Sequence, residues 1–97
     1  RPAEDWIGDV VAALPEKIYV SFDVDGLDPS VLPGTGTPEP GGLLWWPALQ
    51  LLKEALKRRT MVGFDVVEMI HEPPSHVSDF AAARLVMKIL AYARAGR

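Results

Sequence analysis

The feature that most constrains this chain is an apolar, β-branched run that ends in two aspartates two positions apart. The run occupies residues 17–25 and places its carboxylates at Asp23 and Asp25. A strand over residues 17–24 would direct both acids to one face, because side chains two positions apart lie on the same side. The opposite face of this strand is expected to carry Ile18, Val20, Phe22 and Val24. Adjacent carboxylates repel each other, and a hard divalent ion such as Mg²⁺, Ca²⁺ or Mn²⁺ removes that cost better than Zn²⁺. From the residues alone the pair indicates either a cation site or a turn or helix cap.

Helices and strands alternate along the rest of the chain. Apolar residues at three- and four-residue spacing predict three helices: residues 3–14, residues 45–58, and a last helix capped by Ser78 or Asp79 that runs to about Tyr92. The buried side of the last helix is expected to consist of Phe80, Ala83, Leu85, Val86, Ile89 and Leu90. A second strand over residues 61–67 would complete a right-handed βαβ unit. The predicted fold class is therefore α/β, with a parallel sheet and helices on both faces.

A long loop rich in proline and glycine joins the first strand to the second helix. It spans residues 26–44, which is longer than the usual connection, and loops of this length are generally functional or disordered. Prolines at positions 29, 33, 38 and 40 stiffen it, which favours function. Gly34 and Gly36 suit either close approach to an anion or simple turn conformations.

Composition excludes several classes of protein. The 97 residues suffice for one small domain, contain no apolar run long enough for a membrane span and show no signal-peptide pattern. Without cysteine there is neither a disulfide framework nor a thiolate metal site. A formal charge of −3 argues against nucleic acid as a partner.

The segment from Ser21 to Leu43 resembles the C-terminal signature of the ureohydrolases, the family of arginase, agmatinase and formimidoylglutamase. It reads Ser-Phe-Asp-Val-Asp-Gly-Leu-Asp-Pro and, further on, Pro-Gly-Thr-Gly-Thr-Pro-Glu-Pro-Gly-Gly-Leu, and the resemblance resumes at Gly-Phe-Asp-Val-Val-Glu, residues 63–68. With the helices it covers almost the whole chain but only about the last third of a typical member. The resemblance implies that residues 1–97 are the C-terminal part of a single ureohydrolase domain with an arginase-like three-layer α/β/α fold.

This resemblance implies a chemistry and a set of site residues. In ureohydrolases a pair of Mn²⁺ ions polarises a bridging water, and the resulting hydroxide attacks the guanidinium carbon and releases urea. By resemblance, Asp23 bridges the metals, Asp25 binds one of them, and Thr37 lines the reaction centre and contacts substrate. Glu68 matches the carboxylate that pairs with the substrate guanidinium, whose paired N–H donors suit it. Asp28 is expected to be structural.

The chain also differs from the family pattern. The further metal ligands of a ureohydrolase, in a Gly-Gly-Asp-His-type motif and an Asp-x-His-x-Asp motif, are not among these residues, nor is the general-base histidine. Glu68 is followed by Met-Ile-His-Glu-Pro-Pro rather than the usual apolar–Asn/Ser–Pro turn, so the substrate is not fixed. His71 is expected to be a loop residue near enough to Glu68 to touch a substrate tail. The chain alone is therefore expected to be inactive.

The function implied is manganese-dependent hydrolysis of a guanidino compound with release of urea. The loop motif looks closer to agmatinases than to most arginases, so agmatine is the first expected substrate. Arginase, formimidoylglutamase and an inactive ureohydrolase-like subunit are the alternatives. A cytoplasmic homo-oligomer, a trimer or hexamer, is also implied.

Two unrelated classes share part of the motif. Haloacid-dehalogenase-type phosphatases also carry Asp-x-Asp-Gly after an apolar strand, but Leu27 stands where they have threonine or a similar residue. A Ca²⁺-binding EF-hand would need a different spacing of Asp23, Asp25 and Asp28 and a later glycine.

Overall fold

A computed structural model describes residues 5–96 as a two-stranded parallel sheet with three helices. The elements in chain order are α1 Asp5–Ala12, β1 Lys17–Asp23, a 3₁₀ turn Val24–Gly26, α2 Trp45–Arg58, β2 Thr60–Val67 and α3 Val77–Ala95. The predicted α/β class with parallel strands is confirmed. The first two residues of the predicted first helix lie outside the described residues.

The register of the sheet brings the carboxyl ends of the two strands together. β1 and β2 pair in parallel, with Ser21 opposite Asp65 and Asp23 opposite Val67. Parallel neighbours need a crossover connection, and α2 supplies it, as the predicted βαβ unit requires. Side chains that follow Asp23 and Val67 therefore lie at one edge of the sheet, where ligands of open α/β sheets bind.

β1 ends at Asp23, one residue earlier than predicted, because Asp23 caps the turn that follows. Its Oδ1 accepts a hydrogen bond from the backbone N–H of Asp25 at 2.9 Å. Such a local side-chain–backbone bond competes with continuation of the strand. Asp25 consequently lies in the 3₁₀ turn, and the prediction that strand alternation aligns it with Asp23 is wrong.

One face of β1 packs on a core to which all three helices contribute. Ile18 is buried and Val20 and Phe22 are half-buried, whereas Tyr19 and Ser21 are exposed on the other face, which confirms the predicted alternation. The helical members of this core are Ile7, Val11, Leu49, Leu52, Ala55, Leu56, Leu85 and Ile89. A smaller cluster of Val24, Leu27, Leu32, Ala48 and Ala82 seals the end of the sheet beneath the 3₁₀ turn.

The last helix differs from its prediction at its start and on its buried side. α3 begins at Val77 after His76, which makes no side-chain cap bond, so neither Ser78 nor Asp79 is the cap. Leu85 and Ile89 are buried as predicted, but Phe80 and Leu90 are 66% and 52% exposed. Ala82 is buried in place of Ala83, which is exposed. Apolar residues occur around most of this helix, so their spacing alone did not determine which side is covered.

Within residues 5–96, no helix combines the length and apolarity required to cross a bilayer.

Candidate functional site

Asp25 has one carboxylate oxygen that is bonded and one that is not. Its Oδ2 accepts a hydrogen bond from the Thr37 hydroxyl at 2.5 Å. Its Oδ1 is buried without a hydrogen-bond partner in the described chain. A buried, unsatisfied acceptor costs free energy, and native structures generally supply a partner for it. An all-oxygen site with an unpartnered carboxylate oxygen fits a hard divalent cation.

Asp23 stands beside Asp25 at the same strand end. Its Oδ1 is engaged by the backbone N–H of Asp25, which fixes the carboxylate relative to the turn. The side chain is exposed. The structure thus brings together three of the predicted site residues, Asp23, Asp25 and Thr37.

The loop that carries Thr37 is closed at its base by backbone hydrogen bonds. Leu43 donates to the carbonyl of Gly26, and Asp28 donates to the carbonyl of Leu43, both at 2.8 Å. The ends of the loop therefore lie side by side, and its middle folds back over the end of β1. This closure is what allows Thr37 to reach Asp25 across the chain.

Asp28 holds the loop together through its carboxylate. The acid accepts hydrogen bonds from the hydroxyl of Ser30 at 2.5 Å, from the backbone N–H of Ser30 at 3.0 Å and from the N–H of Gly41 at 3.0 Å. These donors, first the Ser30 hydroxyl, hold the pKa of Asp28 below its ordinary value. The contacts fit the structural role expected for this residue.

Gly34 fixes the middle of the loop between β2 and α3. Its N–H donates to the buried hydroxyl of Ser78 at 2.7 Å, and its carbonyl accepts from the N–H of Ile70 at 2.6 Å. A Cβ on Gly34 would overlap the Ile70 carbonyl oxygen and the Ser78 hydroxyl. Thr35 forms a bridge with Met69 next to these bonds. Of the two roles considered for Gly34, close backbone packing is the one that the contacts support.

Glu68 follows β2 at the same edge of the sheet as Asp23. It comes directly after Val67, the pairing partner of Asp23, and its side chain is exposed. Its backbone is left-handed, with φ 74°. That conformation costs a residue with a Cβ about 1–2 kcal/mol. Residues held in this way are concentrated at functional sites.

The side chains of His71, His76 and Asp79 form a cluster that was not predicted from the sequence. The Nδ1 atoms of His71 and His76 lie 2.6 Å and 3.2 Å from Oδ2 of Asp79, and the two rings stack with centroids 5.7 Å apart. The hydrogen bonds from His71 and then His76 hold the pKa of Asp79 below its ordinary value. The available signal was two histidines and an acid within nine residues, but Asp79 was considered only as one of two candidate helix caps.

Comparison with known sequences gives one family over nearly the whole chain. The sequence model described as "Arginase family" matches residues 3–92. The chain is 36% identical over 89 residues to the N(1)-aminopropylagmatine ureohydrolase of Synechocystis sp., covering 91% of this chain and 29% of that protein. It is 40% identical over 86 residues to the agmatinase of Pyrococcus horikoshii, covering 89% of this chain and 30% of that protein.

Solved structures give the same result for the fold. A hypothetical agmatinase from Burkholderia thailandensis matches with a TM-score of 0.81 and 31% identity, over 97% of this chain and 30% of that one. Proclavaminate amidino hydrolase from Streptomyces clavuligerus matches with a TM-score of 0.77 and 32% identity, over 94% of this chain and 32% of that one. The chain therefore spans about three tenths of the length of these relatives.

Proposed function

The chain belongs to the arginase family and forms a piece of the arginase-like α/β fold, and on that basis we propose a function for the whole protein. Residues 1–97 are the C-terminal part of a single ureohydrolase domain. The whole protein hydrolyses a guanidino compound and releases urea. The names of the compared relatives, an agmatinase and an aminopropylagmatine ureohydrolase, support this reaction class.

The unpartnered Oδ1 of Asp25 carries this proposal. It lies at the carboxyl end of β1 beside Asp23, where a cation would satisfy it and relieve the repulsion between the two acids. Asp23 and Asp25 would hold Mn²⁺ in a binuclear centre whose remaining ligands come from residues outside this chain. When bound, the metal pair supplies an activated water as the nucleophile.

The residues of this chain orient the site and the substrate. Thr37 fixes one oxygen of Asp25 by donating a hydrogen bond to it, which leaves the other oxygen for the metal. Thr37 also lines the space above the strand end, where substrate would bind. Glu68, at the end of the neighbouring strand, accepts paired N–H donors from the guanidinium and holds the reacting carbon near the two aspartates.

Agmatine is the proposed substrate, and arginine and a formimino compound are the alternatives. Two compared relatives carry names that refer to agmatine or its aminopropyl derivative, which supports an agmatine-like substrate. We further propose a cytoplasmic homo-oligomer, a trimer or hexamer. Apolar side chains on the surface of this piece, such as Trp46 at 72% and Phe80 at 66% exposure, support burial against further protein.

The test is hydrolysis by the full-length parent protein, measured as urea released from agmatine or arginine and as formamide released from formiminoglutamate, with each compound offered separately. Urea is expected from agmatine, only after loading with Mn²⁺, and none is expected from the Asp23→Ala variant. The 97-residue chain alone should release no urea, because the other family ligands are absent from it. A folded, Mn²⁺-loaded parent that acts on none of these compounds would contradict the proposal and favour an inactive ureohydrolase-like subunit.

A further inference from the structure

His71, His76 and Asp79 bring three metal-ligating side chains together outside the aspartate pair of β1. His71 lies in the segment after β2, His76 directly before α3, and Asp79 in the first turn of α3. One ligand atom from each residue lies within 4.8 Å of the other two. None of the three belongs to the residues that the proposed function uses.

The hydrogen bonds within the cluster converge on one point. Both imidazoles approach the same oxygen of Asp79 through Nδ1, at 2.6 Å and 3.2 Å. The other oxygen of Asp79 is buried and has no partner among the described residues. Because both ring nitrogens face the same carboxylate oxygen, a single cation can take the place of the protons in these two hydrogen bonds. A second carboxylate oxygen without a donor is then available for the same ion.

The types of ligand in the cluster select a class of metal. Imidazole nitrogen suits Zn²⁺, Cu²⁺, Ni²⁺ and Fe²⁺, whereas Mg²⁺ and Ca²⁺ prefer all-oxygen sites. Two histidines and one carboxylate are a common three-residue set for Zn²⁺, with the fourth position open to solvent. Bond lengths of about 2.0–2.2 Å place tetrahedral ligands roughly 3.3 Å apart. The 3.2 Å separation between His76 and Asp79 matches this spacing, whereas the 2.6 Å separation between His71 and Asp79 is a hydrogen-bond length that must widen when an ion binds.

The ligand atoms of the cluster lie within 4.8 Å of one another, and rotation of an exposed imidazole ring can bring them closer together. The side chain of His76 is 78% exposed and that of His71 50% exposed, so either ring can rotate without displacing core residues. Asp79 is the least exposed of the three at 30% and is anchored on the helix. The fixed carboxylate and the two adjustable rings can therefore adopt the geometry that a four-coordinate ion requires.

We propose that His71, His76 and Asp79 bind a divalent cation of the Zn²⁺ class, which joins the segment after β2 to the first turn of α3. The site is structural. Its ligands lie next to Ile70 and Ser78, the two residues that hydrogen-bond to Gly34, so the ion fixes the middle of the loop that carries Thr37. The inference does not depend on the proposed hydrolase activity.

The test measures Zn²⁺ binding by titration calorimetry on the full-length parent protein, with the aspartate pair removed as Asp23→Ala, Asp25→Ala. One Zn²⁺ per chain is expected in this background, and Co²⁺ in its place should give the visible absorption of a four-coordinate site. His71→Gln and His76→Gln should each weaken binding by more than about tenfold. Glu72→Gln removes a neighbouring exposed carboxylate outside the cluster and should leave binding unchanged.

Binding that survives the two histidine substitutions, or that is lost equally in Glu72→Gln, would overturn the site. If the aspartate background does not fold, the wild-type chain and its His71→Gln, His76→Gln double variant are compared, and the double variant should lose one Zn²⁺ equivalent. Equal Zn²⁺ content in those two proteins would also overturn it. Urea release by the full-length parent is a separate measurement, so loss of activity in an Asp23 variant that keeps its Zn²⁺ would leave this inference standing.

Discussion

The hydroxyl of Thr37 donates a hydrogen bond to Oδ2 of Asp25 at 2.5 Å, across a separation of twelve residues. The bond ties the middle of the long loop to the end of β1. Because the other oxygen of Asp25 is buried without a partner, Thr37 determines which oxygen remains for a cation. The loop and the strand end therefore form one site rather than two neighbouring features.

Thr37→Val is expected to weaken Mn²⁺ binding. The substitution keeps the shape of the side chain but removes the donor to Asp25, and loss of a group that orients a metal ligand typically costs about 10- to 100-fold in affinity. Manganese titration of the full-length parent measures the change. Thr35→Val is the matched control, because the Thr35 hydroxyl is buried without a partner and its removal should leave stability equal or slightly higher. Equal losses of affinity in the two variants would mean that Thr37 acts only through loop stability.

Asp23→Ala is expected to abolish Mn²⁺ binding at one or both positions of the full-length protein. The carboxylate is exposed and caps only a short turn, so the fold should survive its removal. Metal content after dialysis and circular dichroism together measure the two effects. A variant with full manganese content and full activity would show that Asp23 is not a ligand.

Glu68→Gln should leave the metals in place and reduce kcat/KM by about ten- to hundredfold, because it removes a charged partner of the guanidinium. Glu68→Gly should lose activity as well but gain up to about 1 kcal/mol in unfolding free energy, since glycine adopts φ 74° without a Cβ penalty. Steady-state kinetics and urea denaturation measure the two predictions. Loss of manganese in Glu68→Gln would instead make the residue structural.

Asp28 should make loop stability sensitive to acid. Its pKa in the folded chain lies below the ordinary 3.8, through hydrogen bonds from Ser30 and Gly41. A lowered folded pKa contributes stability that is fully present above 3.8 and is lost as the pH falls through the lower folded value. Asp28→Asn should therefore be less stable than wild type at neutral pH, and the difference should shrink in that acid range. A difference that does not change with pH in denaturant titrations would contradict this assignment.

Regular elements were predictable because their packing repeats with a fixed period. The second helix was predicted over residues 45–58, and the structure has Trp45–Arg58. The alternation in β1 correctly gave Ile18, Val20 and Phe22 as the inner side chains. The parallel pairing followed from the helix between the strands, and it placed Asp23 and Glu68 at one edge of the sheet.

Features that depend on a single contact were not predictable from periodicity. The end of β1 depends on the hydrogen bond from the Asp25 N–H to the Asp23 side chain, which the strand pattern does not contain. The cluster of His71, His76 and Asp79 depends on how the segment after β2 folds back onto α3. Ser78 was one of two candidate helix caps, whereas its hydroxyl accepts a hydrogen bond from the backbone of Gly34, 44 residues away in the chain.

Gly34→Ala provides the sharpest test of the link between the loop and the rest of the fold. The new methyl group would overlap the carbonyl oxygen of Ile70, which packs against Gly34, and the hydroxyl of Ser78, which accepts a hydrogen bond from the Gly34 N–H. Relief requires movement of the loop, so a loss of about 1–3 kcal/mol in unfolding free energy is expected.

Gly36→Ala is the matched control, because its Cβ would meet only the Ile70 side chain at 3.8 Å, an ordinary contact. That variant should be neutral or more stable by up to about 1 kcal/mol. Since the displaced loop also carries Thr37, Gly34→Ala should weaken Mn²⁺ binding in the parent while Gly36→Ala should not, and similar effects of the two variants would show that the loop is not held through Gly34.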